Sequence, residues 1–565
     1  MLALSMRRVA AYLLGFLVLT AAAPATAGSA SPGRPGDTLA IGISQFPATL
    51  NPLVDAMLAK SYVLAMVRRP LTTYDPEWHL VCMLCVELPS FENGLAEPLD
   101  LGGGKKGVRL TYTLQPDARW GDGVPVTTED VLFSYEVGKN PKTGVADAEL
   151  YRRILRIEAK DAKTFTLDVD RLTFDYAGLN DFEILPAHIE RAAFADPAQY
   201  RIASRYDTDP TNPGLYDGPY RITESAPGSH IVFERNPFWW GKAPYFRRIV
   251  VWTVENTAAL EANLLAHGID MVAGELGFPL DEALAFEQRH GQEFRVIYKP
   301  GLTYEHIDLN LDDPILADLR VRQALLLAID RKAISEELFA GRDPVAESFV
   351  PPLDWIYTDK VPHYPYDPAQ ARTLLEAAGW HLAGGAIRRN DAGARLSLAL
   401  ATTTGDRTRE LVEEVLQSEW RQIGVDVRLH NQPARVLFGD ALTKRNFAMA
   451  MFAWISAPEN VPRSTLRSDE IPSAANSRTG QNYAGFRNAG ADRLIDAIEV
   501  ELDRGRRAAL WHALQRLYAE ELPALPLYFR ASAFVLPPWL EGVTPTGHQY
   551  PSTLWVERWR AAPPS

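Results

Sequence analysis

Residues 120–136 read WGDGVPVTTEDVLFSYE and combine a turn, a helix start and an amphipathic helix in one short stretch. The segment 121–123, Gly-Asp-Gly, predicts a tight turn, since glycine adopts positive φ without steric cost. Thr127, followed three residues later by Asp130, is typical of a capping box in which the two side chains satisfy free amides at a helix start. The stretch therefore predicts a loop that leads directly into a helix.

The residues on either side of this turn continue the pattern. From Arg109 to Leu114 apolar and polar residues alternate, which indicates a half-buried strand. In the helix we expect the buried stripe to be formed by three residues: Val131, Leu132 and Tyr135. A strand, a turn and a helix in this order indicate an α/β layer.

The N-terminus carries the features of an export signal. Arg7 and Arg8 precede an apolar run over 9–19, and Ala25-Thr26-Ala27 matches the small-x-small cleavage pattern. We expect residues 1–27 to be removed and the protein to be periplasmic. No cysteine follows the cleavage site, so no lipid anchor is expected. The arginine pair leaves open whether export follows the general or the twin-arginine route.

Length and charge limit the possible classes of protein. The chain has 565 residues and a net charge of −13. This length exceeds a single core and predicts about three domains or subdomains. The negative charge repels phosphate backbones and argues against a nucleic-acid partner. No internal repeat is visible.

Two cysteines, Cys82 and Cys85, are the only ones in the chain. In an oxidising compartment a disulfide is expected, provided that a turn brings the two α-carbons together. One alternative is a copper or zinc site that also uses His79 and Met83, and another is a pair of buried or free thiols. We predict the disulfide, no metal and no cofactor.

Motifs for catalysis are weak in this chain. Residues 102–107, GGGKKG, fit a dinucleotide-loop search. A strand rather than a helix is expected after them, so they do not place a phosphate at a helix start, and a flexible turn is predicted instead. The histidines are scattered singly. These features favour a binding protein over an enzyme.

The stretch at 120–136 resembles the signature of family 5 extracellular solute-binding proteins, the peptide-binding receptors of ABC importers. Further resemblances follow in the family's order: Gly218-Pro219-Tyr220, ERNPFWW at 234–240 and LADLRVRQALLLAIDRKAI at 316–334. The resemblance implies a two-lobed α/β periplasmic binding fold of type II, in the large variant with an extra inserted domain. It also implies a monomer that closes over its ligand and then meets an inner-membrane ABC permease.

This resemblance divides the chain into segments. We expect lobe I to comprise 38–70, 186–310 and 530–560. The inserted domain is expected at 71–185, and lobe II at 311–529.

The ligand is less clear from the sequence. In peptide-binding members a tryptophan like Trp454 is followed three positions later by an aspartate that pairs with the peptide amine, but here that position is Ala457. Some members also carry an arginine where this chain has Met451. An unpaired ammonium is costly to bury, so Glu459 or Asp55 are candidates to replace the carboxylate. Lys444 and Arg445 are candidates to meet a ligand carboxylate.

Other candidate site residues come from a loop and a strand. Met57 and Leu58 follow Asp55 and, with Met451 and Trp454, suggest an apolar, adaptable pocket. The segment 303–310 alternates, so that Tyr304, His306 and Asp308 share one face, which is expected to meet water or ligand. The predicted ligand-binding residues are Asp55, Met57, Leu58, Tyr304, His306, Met451, Trp454 and Glu459. A chaperone or sensor without transport, and a hydrolase on this scaffold, remain alternative functions.

Overall fold

The computed structural model describes residues 37–54, 57–254, 256–382, 384–474, 476, 478 and 480–563. The predicted signal segment 1–27 and Asp55 lie outside these residues. In the described part of the chain, no helix has the length and apolar character needed to cross a membrane.

The strands are numbered in chain order and form one large sheet, one sheet of four strands and two small ladders. They are β1 (Thr38–Ile43), β2 (Thr72–Tyr74), β3 (Leu80–Cys82), β4 (Ala96–Asp100), β5 (Lys106–Thr113), β6 (Ile154–Ala159), β7 (Thr164–Val169), β8 (Tyr220–Ala226), β9 (His230–Arg235), β10 (Arg248–Thr253), β11 (Met271–Val272), β12 (Arg295–Leu309), β13 (Ser397–Ala401), β14 (Asp426–Leu429), β15 (Met449–Ile455), β16 (Ala524–Leu536), β17 (Leu540–Glu541) and β18 (Arg560–Ala561).

The α-helices are numbered in the same way and range from single turns to eighteen residues. They are α1 (Leu58–Leu64), α2 (Thr128–Lys139), α3 (Ala148–Arg153), α4 (Ala187–Glu190), α5 (Tyr200–Ala203), α6 (Arg205–Thr208), α7 (Thr257–Leu265), α8 (Leu280–His290), α9 (Leu319–Leu327), α10 (Arg331–Ala333), α11 (Pro368–Ala377), α12 (Arg407–Gln422), α13 (Ala434–Val436), α14 (Arg463–Leu466), α15 (Ala489–Val500) and α16 (Arg504–Glu521). Short 3₁₀ or π segments lie at Ala193–Ala195, Pro213–Leu215, Ile334–Leu338, Leu437–Leu442, Ser468–Glu470 and Ser552–Arg558.

The large sheet runs through the whole protein in the order β14-β13-β15-β12-β16-β11-β1-β10-β9-β8. Its two central strands, β12 and β16, pair antiparallel along most of their length, with register shifts between Pro300 and Thr303 and between Glu305 and His306. Beyond the first shift β12 also pairs with β15. These two long strands therefore connect the two halves of the sheet.

Each half of the sheet has its own core. One core includes Leu39 and Ile41 of β1, and extends to the four-stranded sheet β4-β5-β7-β6. The other includes Leu398 of β13, Leu416 of α12 and Met449 of β15. The strand packing thus forms two apolar centres, with β12 and β16 between them.

The stretch around the predicted turn forms the expected elements. Thr127 and Asp130 make the capping box of α2, in which Thr127 Oγ1 accepts from the Glu129 amide and Asp130 accepts from the Thr127 amide. The predicted stripe is wrong at Leu132, which is exposed, whereas Val131, Phe133 and Val137 are buried. The helix contacts α3, α4 and β6, which is why it buries more than a single stripe.

The GGGKKG segment is a turn, as expected. Gly102, Gly103 and Gly104 all have positive φ. The chain then enters β5 at Lys106 rather than a helix. Nothing in this local structure resembles a helix-start phosphate site.

Candidate ligand-binding site

Three cavities meet at Ile455, the last residue of β15. Its side chain is 47% exposed, which is unusual for an isoleucine at the end of a strand that begins with buried residues. The cavities are called here the central, aromatic and loop cavities. The three cavities therefore adjoin at this residue, and together they are called the depression.

The central cavity lies between the two halves of the sheet and has a volume of about 780 Å³. One wall comes from residues 274–282, after β11. The opposite wall comes from 405–409, at the start of α12, and Arg530 of β16 forms part of the floor. The two walls also touch, since Thr408 Oγ1 donates to Asp281 Oδ1 at 3.1 Å and Leu280 packs in the same core as α12.

A charged network fixes one wall of the central cavity. Arg409 donates to both oxygens of Glu305, at 2.7 and 3.2 Å, and to Thr403 Oγ1 at 3.1 Å. Arg530 lies 3.6 Å from Glu305 and 4.0 Å from Asp406. These contacts attach the first turn of α12 to β12.

The aromatic cavity extends from Ile455 into the half that contains β15 and has a volume of about 170 Å³. Tyr304 and His306 of β12 line it, with their rings stacked at 4.8 Å and 5°. Trp454 lines it from β15 and stacks on Tyr483 at 6.0 Å. Tyr304 and His306 are only 5% and 2% exposed, so this face of β12 is buried at the cavity wall, and contact of these rings with a ligand stays a prediction.

Two buried carboxylates also line the aromatic cavity. Asp308 follows His306 on the same strand face, and its Oδ1 lies 3.3 Å from His306 Nε2. Asp354 accepts from the amides of Glu459, at 2.9 Å, and Ile356, at 3.4 Å. Burial raises the pKa of Asp354 above its usual value, against the smaller opposing effect of these amides. The sequence analysis did not select Asp354, because its neighbours form no motif.

The loop cavity lies on the other side of Ile455 and has a volume of about 440 Å³. Met57 and Leu58 line it at the start of α1, and their contact with a ligand stays a prediction. Three acidic residues, Asp147, Asp181 and Glu183, also line this cavity, and Glu183 is paired with Arg68 at 2.6 Å. Lys60 is a second basic residue in the lining, so the cavity combines apolar, acidic and basic side chains.

Met451 does not contribute to this depression. It is fully buried in the core that contains β13 and α12, and it lines none of the three cavities. Trp454 is three residues further along the strand and so projects from the opposite face. The expectation that both side chains share one pocket does not agree with the structure.

Glu459 is close to the aromatic cavity but already has partners. Its carboxylate is paired with Arg507 and accepts from Trp355 Nε1 at 3.1 Å. Burial raises the pKa of Glu459, and the Arg507 contacts oppose that effect. Glu459 therefore stabilises the cavity wall rather than pointing into the cavity.

The two basic residues considered for a ligand carboxylate also have other partners. Lys444 is paired with Asp440. Arg445 contacts Asp312 and donates to Asn310 Oδ1 at 2.8 Å. Neither residue lines any of the three cavities.

The two cysteines form a disulfide in the structure, with their α-carbons 5.1 Å apart. The chain turns after β3, so that the Cys85 amide donates to Leu71 O. Cys85 is buried, and His79 on the other side of β3 is largely exposed. Across the described residues no group of three or more histidine, cysteine or acidic side chains is arranged to hold a metal ion.

The edge of β15 at Ile455 is only partly covered. β13 pairs with β15 at Met449 and Ala450 and no further. On that side the remainder of β15 has no strand partner among the described residues. Unpaired strand edges are sites at which an extended peptide can add by main-chain hydrogen bonds.

The fold and this depression define a protein that encloses a small solute between two halves. The family model described as "Bacterial extracellular solute-binding proteins, family 5 Middle" matches residues 96–469. The chain belongs to this family, and its fold is the two-lobed α/β fold of periplasmic binding proteins.

Individual relatives match nearly the whole chain. The oligopeptide-binding protein AppA of Bacillus subtilis (strain 168) is 24% identical over 525 residues, which cover 91% of this chain and 90% of AppA. The nickel-binding periplasmic protein of Escherichia coli (strain K12) is 23% identical over 506 residues, 88% of this chain and 90% of that protein. The oligopeptide-binding protein of Thermus thermophilus, in complex with a pentapeptide, has a TM-score of 0.75 and 28% identity, covering 93% of this chain and 96% of its own.

Proposed function

We propose that this protein captures a peptide or peptide-like solute between its two halves and delivers it to an inner-membrane ABC permease. The observation that supports a peptide as the ligand is the uncovered edge of β15 beside Ile455, where the three cavities meet. An extended ligand backbone pairs with this edge, and its side chains enter the cavities on either side.

The relatives support this class of ligand. The Thermus thermophilus protein holds a pentapeptide, and AppA is named for oligopeptides. The nickel-binding relative indicates that this fold also serves other solutes. The open β15 edge favours a peptide over a metal ion or metal complex as the ligand of this chain.

Binding is coupled to closure in this proposal. The two halves are joined by β12 and β16, and the first register shift, between Pro300 and Thr303, lies where β12 passes from one half to the other. Gly301 packs closely there, since a β-carbon on it would lie 2.4 Å from Gly547 O. We assign the lobe boundary to this position rather than to residue 310, with the sheet β4-β5-β7-β6 belonging to the inserted domain. The ligand contacts made only in the closed form supply the free energy for closure.

The proposal also specifies where the protein acts and in which oligomeric state. We place the protein in the periplasm after removal of residues 1–27, as a monomer without a cofactor. Stimulation of the cognate permease's ATPase activity by the liganded protein supports the transport role. A liganded protein that leaves every co-encoded transporter unstimulated supports the chaperone or sensor alternative.

The experiment measures affinity and compaction together. Protein freed of ligand by unfolding and refolding is titrated with tri- to hexapeptides by calorimetry, and its radius of gyration is measured by small-angle scattering. We expect micromolar or tighter binding, equivalent to about −8 kcal/mol, and a smaller radius with ligand. An unchanged radius at saturation would contradict closure.

A matched pair of variants tests the position of the ligand. Ile455→Trp fills the junction of the three cavities and is expected to abolish peptide binding. Ile202→Trp makes the same change at a residue that is 70% exposed on α5, outside the cavities, and is expected to bind normally. Equal binding by both variants would show that the peptide site lies elsewhere.

A further inference from the structure

Building on the proposed function, we infer that residues 171–174, which follow β7, form a latch between the inserted domain and the half that contains α15 and α16. The latch stabilises the closed form and thereby sets how slowly a bound solute is released. Its two working side chains, Arg171 and Phe174, line none of the three cavities. They therefore act on binding through closure and not through contact with the solute.

Phe174 is the apolar part of the latch. Its neighbours in sequence, Leu172 and Tyr176, pack against the core that extends to the four-stranded sheet. Phe174 packs instead against a third apolar cluster, whose buried members include Ile495 of α15 and Trp511 of α16. One aromatic side chain thus leaves its own domain and contacts the opposite half.

The main chain of the latch caps a helix of that half. The Phe174 amide donates to Glu499 O, in the last turn of α15, at 2.9 Å. The last four carbonyls of a helix have no partner within it, so this amide satisfies an acceptor that the helix leaves open. Because such a bond weakens with small changes of distance and angle, it forms only when the domain lies directly against α15.

An ion pair lies beside this hydrogen bond. Arg171 Nη1 is 3.3 Å from Glu499 Oε2. Glu499 also accepts from Arg463, a residue of its own half, at 2.6 and 2.9 Å. Arg463 holds the carboxylate in place for Arg171, so less side-chain entropy is lost when the pair between the halves forms.

Arg507 of α16 contacts the ring of Phe174. Its guanidinium carbon lies 4.4 Å from the centroid of that ring and 5.5 Å from the centroid of Trp355. Arg507 is 8% exposed and is paired with Glu459. Cation–π contacts are stronger where water is excluded. Phe174 therefore completes an aromatic and cationic site that the opposite half supplies.

The residues that receive Phe174 are connected to the wall of the aromatic cavity. Trp355 Nε1 donates to Glu459 at 3.1 Å, and the Glu459 amide donates to Asp354 at 2.9 Å. Asp354 and Ile356, on either side of Trp355, line that cavity. A solute that orders this wall also orders the site for Phe174, and by linkage the formed latch stabilises the bound solute.

Dissociation kinetics test the latch on the mature protein. The probe is the tightest-binding peptide of the tri- to hexapeptide titration, and its rates are followed by stopped-flow tryptophan fluorescence. Phe174→Ala is expected to speed dissociation about tenfold or more, since both burial and the Arg507 contact are lost. Arg171→Gln removes a partly exposed ion pair and should speed dissociation about two- to fivefold. Association should change less than dissociation in both variants.

Two control variants separate the latch from general effects on folding. Phe91 is another half-buried phenylalanine of the inserted domain, but it packs within its own core, 5.2 Å from Tyr176. Phe91→Ala should lower thermal stability and leave the dissociation rate unchanged. Arg152 is paired with Glu149 inside the inserted domain, so Arg152→Gln should also leave the rate unchanged. Phe174→Leu keeps an apolar side chain and should recover part of the loss.

Small-angle scattering gives a readout that needs no peptide. Part of the peptide-free protein is closed through the latch, so Phe174→Ala should have a larger radius of gyration than the unaltered protein. Phe91→Ala should keep the radius of the unaltered protein.

The outcomes separate the latch from the proposed function. Peptide dissociation from Phe174→Ala at the rate of the unaltered protein would overturn the latch and leave the proposed function intact, and so would an increase that Phe91→Ala shares. If Phe174→Ala does not fold, Arg171→Gln against Arg152→Gln decides by the same criterion. If no peptide binds, the peptide ligand is wrong, and an unchanged radius of gyration in Phe174→Ala would then overturn the latch as well.

Discussion

Glu305 on β12 and Arg409 on the first turn of α12 form a buried bidentate ion pair with N–O distances of 2.7 and 3.2 Å. Glu305 has no solvent exposure at all. The pair joins a strand shared by both halves to a helix that belongs to only one. It thereby fixes the orientation of the helix start that lines the central cavity.

Arg409→Met is expected to destabilise the protein by about 3 kcal/mol, the lower end of the usual cost of breaking a buried ion pair, because Arg530 remains 3.6 Å from Glu305. Urea unfolding at neutral pH measures the change. The double variant Glu305→Gln/Arg409→Met removes both charges and should recover much of the loss. A single variant as stable as the unaltered protein would mean that Arg530 alone compensates Glu305.

Trp454→Ala is expected to weaken binding of the preferred peptide by about 2 kcal/mol or more, as for a buried aromatic anchor. That is a loss of about thirtyfold in affinity, measurable by calorimetry. The control, Trp252→Ala, truncates a tryptophan on β10 that packs against His230, with ring centroids 4.5 Å apart, and lines none of the three cavities. Comparable losses in both variants would point to a general effect on folding.

Asp343→Asn is expected to stabilise the protein at pH 8 but not at pH 5. Burial raises the pKa of Asp343 to about 7, so the folded state binds more protons than the unfolded state between about pH 4 and 7. The stability of the unaltered protein therefore falls as pH rises through that window. Asparagine keeps an acceptor for the Ala531 amide, now at 2.8 Å from Asp343. Urea unfolding at the two pH values should show a gain of about 1 kcal/mol or more at pH 8.

Replacing both cysteines with alanine is expected to lower the free energy of unfolding by about 2 kcal/mol, the entropic effect of a very short closed loop. Neither Cys82 nor Cys85 lines a cavity, so peptide affinity should stay within twofold. Thiol titration of unreduced protein should find no free thiol, and metal analysis no stoichiometric zinc or copper. Free thiols would contradict the disulfide, and stoichiometric zinc or copper would support the alternative metal site.

Several features could be predicted from the sequence because they depend on neighbours in the chain. The capping box of Thr127 and Asp130 depends on a three-residue spacing, and it forms as expected. The alternation over 303–309 places Tyr304 and His306 on one face of β12. The disulfide needs only a turn between two nearby cysteines. The family follows from motifs that keep a fixed order along the chain.

The composition of the cavities was decided only by the tertiary structure. Alternation separates the two faces of a strand, but it does not say which face meets a core, so Met451 was expected beside Trp454 and is instead buried. Glu459 was expected to be available, yet Arg507, from a helix far along the chain, is its partner. Asp354 lines the same cavity as Asp308 only because the long segment between α10 and α11 folds back to it. Such long-range packing depends on which surfaces bury the most apolar area together, and no local spacing in the sequence records that outcome.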